Sequence, residues 1–163
     1  MRTIAGRVVT LATPMLIAAA LCGNAQPPSP KLVKASVSGP KSVPAGKAFT
    51  LTVAVSIDSH YHIQGNPAPK DYIATELEVG PAKGFKLDKV TYPKAVVKLV
   101  AGEKLPVYEG AIQIKAEVSA DHAVRPGKYV LPVSLRYQGC DDQKCFPPTA
   151  VAMKAAVTVT GGK

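Results

Sequence analysis

With 163 residues, 47% of them hydrophobic and 19% charged, the chain amounts to one domain's worth of core and is too apolar for intrinsic disorder. Its formal charge of +9 would suit an anionic partner, yet most lysines stand singly among valines and alanines and no basic run tracks a phosphate backbone. Nucleic-acid binding is therefore not expected, and the charge is a statement about solubility and encounter.

Residues 1–25 differ from all that follows. Arg2 and Arg7 lead into an acid-free apolar stretch over residues 8–21, shorter than the roughly 20 residues a membrane-crossing helix needs. Gly23-Asn24-Ala25 supplies the small residues of a signal-peptidase site. The segment reads as a secretory signal cleaved after Ala25. A lipid anchor on Cys22 is the lesser alternative, because bulky Leu21 stands where that signal has a small residue. Export leaves Cys140 and Cys145 as the surviving cysteines, in a compartment where a nearby pair forms a disulfide. No second hydrophobic span follows, so no transmembrane segment is expected in the mature chain, which is periplasmic or secreted.

After a Pro-rich leader at residues 26–30, a single domain is expected over 31–160, with a flexible tail at 161–163. A first, irregular β-type run covers 32–37. In the next, Phe49, Leu51, Val53, Val55 and Ile57 alternate with Thr50, Thr52, Ala54 and Ser56, the period of a half-buried strand. Less regular runs follow at 73–79, 85–92 and 95–100. Clean alternation returns at 112–118, 129–137 and 151–159. Turn residues at 44–46, 65–67, 81–84 and 125–127 fall between the runs. Pro132 lies inside one, which predicts an edge strand or a bulge there. Roughly eight strands and no helical period predict an all-β, immunoglobulin-like β-sandwich. The cysteines are not the inter-sheet bridge of antibody domains, which pairs distant strands around a tryptophan that this chain lacks.

Both cysteines fall between two strong strand signals, in the segment Tyr137-Gln138-Gly139-Cys140-Asp141-Asp142-Gln143-Lys144-Cys145-Phe146-Pro147-Pro148. A bridge closing so small a loop removes little denatured-state entropy, roughly 2 kcal/mol against nearly 5 for a loop of about 100 residues. Stability alone is a weak reason to place it there, whereas a loop-borne bridge is open to attack by another protein's thiolate. The plain alternative is a bridge that pins a hairpin. Two thiolates without further ligands do not make a closed zinc site, so no metal and no cofactor is expected. Asp141 and Asp142 disfavour a thiolate while Lys144 favours it.

The run YQGCDDQKCFPP, together with Val107-Tyr108-Glu109-Gly110 and His60-Tyr61-His62-Ile63, resembles the N-terminal periplasmic domain of the thiol:disulfide interchange protein DsbD. The resemblance extends over nearly all of residues 31–159. It implies a sandwich whose cysteines accept electrons from a membrane-embedded thiol reductase and pass them to periplasmic thioredoxin-fold proteins. Cys145 would form the mixed disulfides and Cys140 would resolve them. Tyr108 would take the place of the aromatic on a cap loop shielding the pair. Three features depart from the enteric form: the C-x4-C spacing is one residue shorter, Leu105-Pro106-Val107 replaces acids before the cap aromatic, and the chain ends at Gly161-Gly162-Lys163 without the later portions. Electrons are thus expected in trans.

Other residues point to weaker chemistry. His60 and His62 alternate at a strand end and could share a metal, although loop-edge polar residues are the simpler reading. His122 beside Asp121 precedes a turn and is expected in solvent. Asp141-Asp142 lacks the spaced oxygens of a calcium site. Tyr137 and Phe146 flank the cysteines, as packing or as a partner contact. Two function classes remain: a redox relay through Cys140 and Cys145, and a non-catalytic binding sandwich with a permanent disulfide. The reduction potential separates them, since a structural bridge lies below about −300 mV and an exchanging one lies higher.

Overall fold

The computed structural model describes residues 31–100 and 102–162, so the expected signal segment, the leader, Cys22 and Lys163 lie outside the described residues. The described chain forms twelve strands and no helix. In order they are β1 (Val33–Ser38), β2 (Ser42–Pro44), β3 (Ala48–Ile57), β4 (His62–Gln64), β5 (Glu76–Val79), β6 (Phe85–Thr91), β7 (Val96–Val100), β8 (Glu103–Tyr108), β9 (Ala111–Ala120), β10 (Gly127–Tyr137), β11 (Gly139–Cys140) and β12 (Thr149–Thr160). Two four-stranded sheets, ordered β1-β3-β9-β6 and β2-β12-β10-β5, make the sandwich. A third, ordered β11-β4-β8-β7, is smaller.

The sandwich follows from alternation. On β3 the five apolar side chains from Phe49 to Ile57 are all buried, and the residues between them face outward or lie partly covered. Antiparallel register puts Leu51 opposite Ala116 and Val53 opposite Ile114, so β9 offers its own buried face to the same side. Leu131, Val133 and Leu135 of β10 and Val157 of β12 come from the second sheet into the same core. Each such side chain, fully buried, stabilises the fold by about 1.5–3 kcal/mol relative to exposure. At one end, the Phe85 ring meets Phe49 and Tyr129 edge-on, with centroids 6.4 and 5.2 Å apart.

All eight expected runs contain strands, but the run at 73–79 shortens to β5, and β2, β4, β8 and β11 were not anticipated. The expectation for Pro132 is corrected as well. Strand β10 lies between β12 and β5, not at an edge, and pairs continuously with β12. Proline is tolerated because β5 pairs only with Val133 to Arg136; at Pro132 the sole demand on that side is for its carbonyl, which accepts from the Gly80 N–H at 2.8 Å. The irregularity in register lies elsewhere, between Leu87 and Lys89 of β6.

The third sheet is made of continuations. Strand β4 follows the end of β3, β8 precedes the start of β9, and β11 follows the end of β10. Because the ends of β3 and β9 pair at Ser56 and Ala111, these extensions leave the sandwich at one end, where they find one another. Strand β7 pairs only with β8 and leaves Val97 and Leu99 about two-thirds exposed, at 69% and 67%.

Candidate functional site

Strand β4 is the hub of the small sheet. Its register sets His62 opposite Cys140 of β11, and Ile63 opposite Tyr108 and Gln64 opposite Val107 of β8. Antiparallel partners share a face and successive residues alternate. One face therefore carries His62, Gln64, Cys140, Leu105 and Val107, and the other carries Ile63 and Tyr108. The second face packs into the sandwich core. The first is covered by the cysteine loop, so β4 is buried on both sides and all three of its residues are inaccessible. A strand so placed shows no apolar–polar alternation, which is why its sequence does not announce it.

Cys140 and Cys145 form a disulfide, with Cα atoms 4.0 Å apart. The loop between them is a tight hairpin. The Asp141 N–H donates to the Lys144 carbonyl at 2.9 Å, and the Phe146 N–H donates to the Gly139 carbonyl at 2.8 Å. Asp141 Oδ1 accepts from the backbone N–H groups of Gln143 and Lys144, both at 2.8 Å. Those two bonds hold the Asp141 carboxyl below the usual carboxylate range. Asp141 thus shapes the turn. A Cβ at Gly139 would meet the end of the Leu32 side chain, which would have to shift.

Cys140 is fully buried and Cys145 is partly exposed. Val100, Leu105 and Val107 pack with Cys140, and Tyr72 and Cys145 pack against that group. Tyr72 is fastened over it by a hydrogen bond from its hydroxyl to Glu103 Oε2 at 3.0 Å. Apolar neighbours on this face keep water from the inner sulfur.

Tyr108 is not in a loop. It is the last residue of β8, 2% exposed, and its side chain belongs to the sandwich core on the face opposite the sulfurs. Its hydroxyl accepts from the Asn66 N–H at 3.1 Å, and burial pushes its pKa up. The side chains that pack with Cys140 are those of Leu105 and Val107, inside the segment that replaces the acids of the enteric form, with Val100 and Tyr72. Tyr137 is likewise buried, at 2% exposure, which leaves it as packing and unavailable to a partner. Phe146 is half-buried; its ring meets Tyr61 at 6.2 Å and lies under Lys144 Nζ at 5.5 Å.

The two histidines part company. His60 sits exposed in a turn with φ 71°, whereas His62 is buried on β4, so they do not face a common ion. Among the described residues no group of three or more His, Cys, Asp or Glu side chains could hold a metal. His122 is exposed, as anticipated. Burial lowers the pKa of His62, with Lys98 adding to the effect and Asp142, Glu109 and Asp141 opposing it. Its Nε2 has no hydrogen-bond partner.

Gln64 was not singled out by sequence. Its Nε2 donates to Cys140 Sγ at 3.4 Å and lies 3.8 Å from Cys145 Sγ. Its backbone is held from both directions, the N–H donating to the Gln138 carbonyl at 3.0 Å and the carbonyl accepting from Thr75 Oγ1 at 2.5 Å. Gln138 ties the loop down in turn, accepting from the Ile73 N–H and donating to the Phe146 carbonyl. The one available signal was its position two residues after His62, in a segment already marked by its resemblance.

Residues 29–156 match the family described as thiol:disulfide interchange protein DsbD, N-terminal. No curated protein sequence matches the chain. Among solved structures, the N-terminal periplasmic domain of ScsB from Proteus mirabilis is similar over 79% of this chain and 48% of its own, with a TM-score of 0.56 and 13% identity. This chain thus spans about half the length of that structure. The reduced DsbD N-terminal domain of Neisseria meningitidis is 18% identical, with a TM-score of 0.44 over 69% of this chain and 78% of its own.

Proposed function

The chain belongs to the DsbD N-terminal domain family, a thiol–disulfide interchange domain with a cysteine pair, and on that premise we propose that Cys140 and Cys145 relay electrons between other proteins. The pair takes electrons from a membrane-embedded thiol reductase and hands them to periplasmic thioredoxin-fold proteins. The chain works in the periplasm after removal of residues 1–25. Among the described residues no helix is long and apolar enough to cross a membrane.

The observation that carries this reading is the unequal burial of the two cysteines in one short loop. Cys145 is partly exposed and followed by Phe146-Pro147-Pro148, a stiff apolar segment suited to a partner's groove. Cys140 is enclosed beneath Val100, Leu105 and Val107. In the reduced domain, the Cys145 thiolate attacks a sulfur of the partner's disulfide and expels the partner's other sulfur as a thiolate. Cys140 then attacks Cys145 Sγ, releasing the partner as a dithiol and restoring the Cys140–Cys145 bond. Two electrons pass to the partner, and its two thiolates take up two protons. Tyr108 and Tyr137 support the scaffold from the core side, and Phe146 supplies the partner contact.

Removal of the resolving sulfur stops the reaction at the mixed disulfide. Cys140→Ser is expected to accumulate covalent complexes with thioredoxin-fold proteins on non-reducing gels, and Cys145→Ser is not. The opposite pattern would exchange the two roles. Trapping by neither, with several such partners, would leave a permanent structural bridge in a binding sandwich.

A further inference from the structure

Gln64 is fully buried and on the sulfur face of β4, two residues beyond the register partner of Cys140. Its amide is used on one side alone: Nε2 donates toward both sulfurs, and Oε1 has no partner. An amide oxygen left unpaired in an interior is costly, and among the described residues none donates to it in the oxidised site. Reduction changes the inventory, because a thiol carries an S–H donor that a disulfide lacks.

We propose that Gln64 follows the redox state of Cys140, its Nε2–H donating to the sulfur in the disulfide and the thiolate and its Oε1 accepting the S–H of the reduced thiol. This rests on the exchange reading above. In the loading step a reductant's thiolate attacks Cys145 Sγ; the new S–S bond forms there, the Cys140–Cys145 bond breaks, and the electron pair goes to Cys140 Sγ. The reductant's second thiol, deprotonated, then attacks the reductant's sulfur in the mixed disulfide, forming the reductant's own S–S bond and expelling Cys145 as a thiolate. The reductant leaves as a disulfide, and its two protons are matched by the two taken up at Cys140 and Cys145.

Negative charge thus develops on the inner sulfur, among Val100, Leu105 and Val107, where apolar surroundings oppose it. The Gln64 N–H is the donor in contact with that atom. The charged and titratable groups around this face are His62 on β4, Lys98 on β7 paired at 2.7 Å with Glu109 just after β8, Tyr72 bonded to Glu103 of β8, and Asp141, Asp142 and Lys144 in the cysteine loop. Gln64 touches the reacting sulfurs and so acts as a catalytic residue, stabilising Cys140 as leaving group.

The test uses Gln64→Leu, with Gln64→Met as a second apolar replacement should the first not fold. Dithiothreitol is the reductant, so no protein partner is needed. The variant disulfide is expected to be reduced about tenfold more slowly, a ratio equal to about 1.4 kcal/mol of barrier. In the Cys145→Ser background, thiolate absorbance is expected to show the Cys140 pKa raised by about one unit on losing the donor. Unfolding supplies the opposite-sign control: the oxidised variant loses an unpaired oxygen and keeps or gains stability, while the reduced variant loses the S–H acceptor and is destabilised. A merely structural glutamine would weaken both forms alike. Unchanged reduction rate and unchanged Cys140 pKa would overturn the proposal. If the unaltered protein resisted dithiothreitol without denaturant, the exchange reading would fail instead, and the titration would still decide the contact to Gln64.

Discussion

The sandwich and the small sheet obey different rules in one chain. Strands β3, β9 and β10 are ten or eleven residues long, alternate in burial and keep their polar side chains on the outer face. Strands β4 and β11 have three and two residues, are buried throughout, and include the polar side chains of His62 and Gln64. In the first region the buried positions follow the local period. In the second, polar groups are enclosed and two of their atoms lack partners. Such local inconsistency is expected where function, and not stability, selects the residue.

The largest effect that would sharpen this contrast is on stability. Leu135 is fully buried on β10, and Leu135→Ala is expected to destabilise the oxidised protein by about 2–5 kcal/mol in urea unfolding. A loss well below that range would mean that the sandwich is not the principal stabilising unit. Removal of the disulfide tests the other region. The double replacement of Cys140 and Cys145 by serine opens a short loop and is expected to cost about 2 kcal/mol, while the sandwich remains folded and cooperative by circular dichroism. Global unfolding of that variant would show that the small sheet supports the sandwich.

A third expectation concerns acid. His62 has its pKa lowered from 6.5, chiefly by burial and then by Lys98. Below 6.5 the unfolded chain takes up a proton at this position that the folded chain refuses, so this contribution to stability is complete above 6.5 and falls as pH falls toward the lowered folded value. His62→Gln is expected to flatten the stability profile in that window, as measured by unfolding midpoints at successive pH values. An unaltered slope would place His62 in water and undo the claim that β4 is covered on both sides.

The smallest effect separates partner contact from chemistry. Phe146→Ala removes a half-buried ring beside Cys145. It is expected to slow exchange with a thioredoxin-fold protein severalfold and to leave reduction by dithiothreitol unchanged. Equal slowing with both reductants would assign the ring to loop packing, not to docking.

By itself the sequence determined the sandwich and the place of the cysteine pair. Alternation is a local property, so Phe49 to Ile57 and Tyr129 to Tyr137 disclosed both their strands and their buried faces before any pairing was known. The cysteine loop was equally plain, since both residues lie in one connection between β10 and β12. Tertiary structure alone decided what surrounds the sulfurs. Register between segments distant in sequence sets Gln64 beside Cys140, 76 positions away, and no local pattern encodes that approach. The same register turns Val107 toward the disulfide and Tyr108 into the core, because neighbouring residues on a strand face opposite ways. A shift of one residue would have reversed them, and that choice belongs to the pairing of β4 with β8 and β11.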